Sequence, residues 1–140
     1  MLSQVSGQPN IGTTPPDTVR VLVAARPGLM RNALTAFLIG IAPVYVLALT
    51  EDASTTAATA RARHPDVLVV DGDLSEVEVL DILQQLRAEL PALRSVILAN
   101  TLQQQRRFLA AGASRVLLKG LLDDRLTAAV LDCPRAGEPA

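Results

Sequence analysis

Apolar residues recur along this chain in two alternating rhythms. Val19-Arg20-Val21-Leu22-Val23, within residues 18–25, is a β-rich run, and Val44-Tyr45-Val46-Leu47-Ala48-Leu49 is a second. Val67-Leu68-Val69-Val70 is an unbroken aliphatic run that passes directly into Asp71-Gly72-Asp73. A run of that kind predicts a strand buried on both faces, which belongs mainly to parallel sheets covered by helices. Val96-Ile97-Leu98-Ala99 and Val116-Leu117-Leu118 predict two further strands.

Between these runs the period changes to that of a helix. Leu29, Met30, Ala33, Leu34, Phe37 and Leu38 predict a helix over residues 29–39 that Gly40 closes. Alanine-rich residues 51–63 predict a second, with Thr50 or Asp52 as cap, that must stop before Pro65 because the residue preceding a proline is pushed out of the helical region. That residue is His64, read here as a loop residue at a helix end rather than a catalytic group. Val79, Leu80, Leu83, Leu86 and Leu90 predict a third helix over 77–90, and shorter ones follow over 102–111 and 121–131. Strand and helix alternate five times, which calls for an α/β fold: a doubly wound parallel sheet with helices on both faces.

Composition narrows the class. Residues 1–17, rich in Ser, Gln, Gly, Thr and Pro, are expected to be a flexible leader, residues 18–132 the folded domain, and residues 133–140 a tail or the start of a linker. No apolar run reaches the roughly 20 residues of a membrane span. A net charge of −1 gives no electrostatic case for nucleic acid as this domain's partner. One His and one Cys, Cys133, exclude an internal disulfide and a zinc site of the usual kind. The first residues lack the layout of a secretory signal, so the expected location is the cytoplasm. No Ser-His-Asp set, phosphate-cradling glycine loop or nucleotide fingerprint appears, which argues against an enzyme. The residue that draws chemical interest is Asp71, because in open α/β sheets ligands gather at the carboxyl ends of the strands.

The order of elements, together with Leu29-Met30-Arg31-Asn32-Ala33-Leu34, Pro65-Asp66-Val67-Leu68-Val69-Val70-Asp71 and Ala110-Ala111-Gly112-Ala113-Ser114-Arg115-Val116-Leu117-Leu118-Lys119, resembles the receiver domain of bacterial two-component response regulators. The variant most similar is the receiver that precedes a helix-turn-helix output domain in transcription regulators. The resemblance implies a five-stranded flavodoxin-like sheet of order 2-1-3-4-5. It also implies that Asp71 is the phosphoacceptor and that Lys119 reaches the phosphoryl oxygens.

Other positions depart from the family pattern. Where receivers carry two adjacent metal-binding acids, this chain has Ala25 and Arg26. Mg²⁺ demands oxygen ligands, and phosphoryl transfer relies on it to neutralise charge, so no cofactor is expected, with Mg²⁺ required only if the chain is a working phosphoacceptor and Asp73 a weak candidate ligand. Arg26 is expected to stand in for the cation, within salt-bridge reach of Asp71. The hydroxyl position on the fourth strand is Ala99, the aromatic switch position on the fifth is Val116, and the family's proline and glycine after the acceptor are Ser75 and Val79.

Two functions follow. One is an atypical receiver acting as a protein-interaction module without ordinary Mg²⁺-dependent phosphorylation, its partner another protein or itself, as a homodimer through the apolar surplus of helix one and Leu121-Leu122. The other is a working phosphoacceptor, taking a phosphoryl group on Asp71 from a histidine kinase in a phosphorelay.

Overall fold

The computed structural model describes residues 18–119 and 123–132. Five parallel strands lie in the order β2-β1-β3-β4-β5: β1 (Val19–Ala24), β2 (Val44–Thr50), β3 (Val67–Asp71), β4 (Arg94–Ala99) and β5 (Arg115–Leu118). The helices are α1 (Leu29–Ile39), α2 (Ala53–Arg63), α3 (Glu76–Glu89), α4 (Leu102–Ala110) and α5 (Asp124–Asp132). A single 3₁₀ turn, Gly72–Leu74, links β3 to α3. The doubly wound parallel sheet is what the strand and helix rhythm implied, and its flavodoxin-like order is what the family resemblance implied.

Successive side chains of a strand point to opposite faces, so each strand feeds two cores. Leu22, Ala24, Leu68, Val70, Ile97 and Ala99 face α2, α3 and α4, and pack with Ala57, Ala60, Val79, Ile82, Leu86 and Phe108. Val21, Val23, Val67, Val69, Val96 and Leu98 face α1 and α5, and pack with Leu34, Leu38, Leu126, Ala129 and Val130. β3 is central and buried at every position, which is why its sequence shows no polar alternation.

Element ends differ from the sequence expectation where side chains cap them. Asp52 accepts a hydrogen bond from the Thr55 amide, so α2 begins at Ala53 rather than at Glu51. At its other end His64 adopts the left-handed conformation with φ 48°. The Arg20 guanidinium donates to the carbonyls of His64 and Arg63 at 2.7 and 2.8 Å, satisfying acceptors that the helix leaves open. β4 starts two residues earlier than its aliphatic run, at Arg94, and α5 starts at Asp124. The expected leader, the tail with Cys133, and Leu121-Leu122 lie outside the described residues.

Candidate functional site

The carboxyl ends of β1, β3, β4 and β5 bring the chemistry-bearing residues of the sequence reading to one edge of the sheet. Asp71 is the last residue of β3, pairs with Leu98 of β4, and is 3% exposed. Its Oδ1 accepts the Asp73 amide at 3.1 Å, a side-chain cap that turns the chain out of the strand. Gly72 is required between them by contact. A Cβ there would lie 2.5 Å from the Leu98 carbonyl oxygen, so the turn rests directly on the end of β4.

Lys119 follows β5 and is held in place by its amide, which donates to the Ala99 carbonyl at 2.7 Å. Its ammonium, on a side chain 17% exposed, forms an ion pair with Asp71 Oδ1 and a second with Asp73 Oδ2 at 2.7 Å. Asn100 Nδ2 donates to the other Asp73 oxygen at 2.8 Å, and the Asn100 amide is itself held by Gln104 Oε1 at 2.8 Å. The Lys119 ammonium and then the Asn100 amide hold the Asp73 carboxyl below its usual range, outweighing the opposing effect of burial. One cation therefore bridges two carboxylates, and residues that follow β4 and β5, on one side of β3, contribute to the same network.

Arg26 is not part of it, and the expected Arg26–Asp71 pair is corrected. The guanidinium donates to the Leu74 carbonyl at 2.7 Å and to Glu78 Oε2 at 2.9 Å. The reason is competition for a buried acceptor. Asp71 already has Lys119, and joining it would desolvate a guanidinium whose side chain remains 55% exposed. Glu78 was missing from the sequence reading. The signal that finds it is Ser75-Glu76-Val77-Glu78, a capping-box spacing ahead of an apolar periodic run. Ser75 does cap α3, accepting the Glu78 amide at 3.2 Å. The Glu78 carboxylate, however, turns outward to Arg26 and to the Ala53 amide, 3.2 Å away at the start of α2.

The remaining positions bring no polar side chain to the edge. Ala25 and Ala99 are fully buried, and Val116 and Val79 belong to the core. His64 lies at the opposite end of the sheet from Asp71, before β3 begins.

The family model for the response regulator receiver domain matches residues 21–131, and the chain belongs to that family. Solved structures agree on the fold. The signal receiver domain of NarL from Mycobacterium tuberculosis is 23% identical, with a TM-score of 0.75 over 84% of this chain and 97% of that one. The isolated receiver domain of RcsB from Salmonella enterica serovar Typhimurium, with the phosphomimetic BeF3−, is 17% identical, with a TM-score of 0.71 over 84% and 91%. A LuxR-family DNA-binding response regulator from Staphylococcus aureus is 13% identical, with a TM-score of 0.69 over 78% and 93%. No curated protein matches the chain in sequence.

The Mg²⁺ ion that the family resemblance implies does not fit the donors of this chain. A hard divalent ion needs several oxygen ligands, and the described residues contain no group of three or more acidic, His or Cys side chains able to hold one. Asp71 and Asp73 are the nearby carboxylates, and an ammonium already lies on both. No helix of the described residues is long and apolar enough to cross a membrane.

Proposed function

We propose that this domain of two-component signalling is an atypical receiver, a protein-interaction module whose state is not set by ordinary Mg²⁺-dependent phosphorylation. The observation that carries this reading is the occupied Asp71 carboxylate: almost wholly buried, capping its own turn, and paired with an ammonium that also binds Asp73. A carboxylate acting as nucleophile on a phosphodonor needs an open line of approach and a cation to neutralise the phosphoryl oxygens. The low exposure of Asp71 and the sharing of its ammonium with Asp73 both weigh against such an approach. Ala25, Arg26 and Ala99 supply neither metal ligands nor a hydroxyl donor.

The partner in this reading is a protein, and a second copy of the chain is the first choice because α1 leaves Leu29 and Ile39 exposed. The likeness to DNA-binding regulators supports a place in transcription control, with the domain itself cytoplasmic and not in contact with DNA. A second reading is favoured by one specific observation. Asp71 and Lys119 meet as the family's phosphoacceptor and lysine would, and on that reading a histidine kinase is the donor and the site must open first.

Intact mass of the protein after incubation with a small phosphodonor and Mg²⁺ tests the proposal. The expected result is no stoichiometric phosphoryl adduct. An adduct that Asp71→Ala abolishes overturns it.

A further inference from the structure

In place of a metal ion, a clasp made of protein groups ties together the loops around Asp71. Arg26 leaves the end of β1 and binds the Leu74 carbonyl at 2.7 Å and Glu78 Oε2 at 2.9 Å. The second Glu78 oxygen accepts the Ala53 amide at 3.2 Å, and Ser75 Oγ donates to Glu78 Oε2 at 3.4 Å. Four segments thus converge on two side chains: the β1–α1 turn, the 3₁₀ turn after Asp71, the first turn of α3 and the start of α2. A cation bound by acids at the end of β1 and by the loop after β3 would join the first two of these. Arg26 joins them with a fixed positive charge.

The backbone inside the clasp is an independent observation. Ser75 has φ 123° and ψ 148°, a conformation that residues with a Cβ rarely adopt. Such a residue persists only where its surroundings over-determine it. Here the carbonyl immediately before Ser75 is bound by Arg26, and its side chain is bound on both sides by Glu78. Three of the clasp's residues, Leu74, Ser75 and Glu78, belong to the unusual turn and the helical turn that follows it.

We infer that Arg26 and Glu78 replace the metal as the cross-link of the site loops, so that the loop following Asp71 is held in one conformation whatever the divalent-cation level. The inference rests on the proposed reading of an atypical receiver and supplies the regulation of that site: the loop is fixed in the resting protein by charge carried on the chain. An exposed ion pair contributes little to global stability, so the effect belongs in local opening rather than in the unfolding midpoint. One guanidinium nitrogen, Nη2, donates both to the Leu74 carbonyl of the 3₁₀ turn and to the Glu78 carboxylate of α3, so its removal is expected to be visible in both segments.

Hydrogen exchange followed by mass spectrometry on the full chain decides the matter, with wild type, Arg26→Ala and Glu78→Gln each measured with and without Mg²⁺. In wild type, exchange over residues 72–80 and 52–56 is expected to be the same in both conditions. Arg26→Ala is expected to speed exchange in those segments about three- to tenfold, with Mg²⁺ unable to restore it, while β4 keeps its wild-type rate. Glu78→Gln, which keeps an acceptor for Ala53 but loses the charge, is expected to fall between the two. Wild-type exchange slowed by Mg²⁺, an Arg26→Ala loop as protected as wild type, or a rise shared equally by β4 would each overturn the inference. A phosphoryl adduct on Asp71 together with Mg²⁺-independent exchange would instead overturn the functional reading and leave the clasp standing.

Discussion

Lys119 reaches past Asp71 to Asp73: its ammonium lies 2.7 Å from Asp73 Oδ2 while it also contacts Asp71 Oδ1. Asp73 sits on the turn and Asp71 on the strand, so a single side chain from β5 fixes the turn against the sheet. Asn100 holds the free Asp73 oxygen from the end of β4, and Arg26 holds the carbonyl of the next residue, Leu74, from the end of β1. The loop after the central strand is therefore fastened from three strands. A site fastened in this way is suited to presenting a constant surface to a partner and poorly suited to admitting a phosphodonor.

The first prediction follows from the asymmetry of a buried pair. Lys119→Met would leave the Asp71 carboxylate buried without its cation, and the expected loss is about 2–4 kcal/mol of unfolding free energy. Adding Asp71→Asn to that variant removes the stranded charge and is expected to recover part of the loss. Urea denaturation of the two single variants and the double variant measures the coupling between them. If the double variant is as unstable as the sum of the singles, the two side chains do not act as a pair.

Gly72 provides a second prediction that depends on what its neighbour is made of. A Cβ at Gly72 would meet the Leu98 carbonyl oxygen at 2.5 Å, a backbone atom of a central strand that has nowhere to move. Gly72→Ala is expected to cost about 2–3 kcal/mol through displacement of the turn. At Gly112 the nearest atom, at 2.9 Å, belongs to the flexible Arg87 side chain, which can yield, and the cost there comes from a backbone with φ 106°. Gly112→Ala is expected to cost about 1 kcal/mol. Chemical denaturation of both variants tests the order, and a Gly72→Ala protein as stable as wild type would mean that the turn does not rest on β4.

How much of this was legible in the sequence depended on whether a residue's partner was local or distant. The buried run Val67-Leu68-Val69-Val70 and the alternating helical periods specify the α/β order, because burial on two faces leaves a direct mark on composition. Asp71 and Lys119 were found through the family resemblance, and the fold brings them together. The sequence does not specify the partner of Arg26, because a long exposed cation at a strand end has several acceptors within reach and its choice depends on which are already taken. Lys119 took Asp71, and the capping-box Glu78 left a carboxylate free on the near side of α3. The apolar pattern that Leu121-Leu122 continue predicts an earlier start for α5, whereas the described helix begins at Asp124. Asp123 and Asp124 are better suited than leucine to a helix N-terminus.

The last prediction is self-association through α1. Leu34 and Leu38 face the core, and Met30 and Phe37 pack partly against it, which is already a full core-facing stripe for an eleven-residue helix. Leu29 nevertheless stays 88% exposed and Ile39 50% exposed, with Ala33, Ala36 and Asn32 on the outer side between them. That outer side carries no acid, and Arg31 is the helix's one charged residue, so a second copy can approach it about a two-fold axis with little like-charge repulsion. Scattered leucines on a monomer need no explanation, and the competing expectation is that these two are of that kind. Light scattering at micromolar concentration separates the two, with and without Mg²⁺ and a phosphodonor. The expected result is a dimer in every condition, shifted toward monomer at least about tenfold in dissociation constant by Ala36→Arg, since placing a charge in an apolar contact without a partner costs more than 1.4 kcal/mol. A strictly monomeric mass throughout would remove self-association from the reading. A dimer that forms only with phosphodonor would return the site to ordinary phosphorylation control.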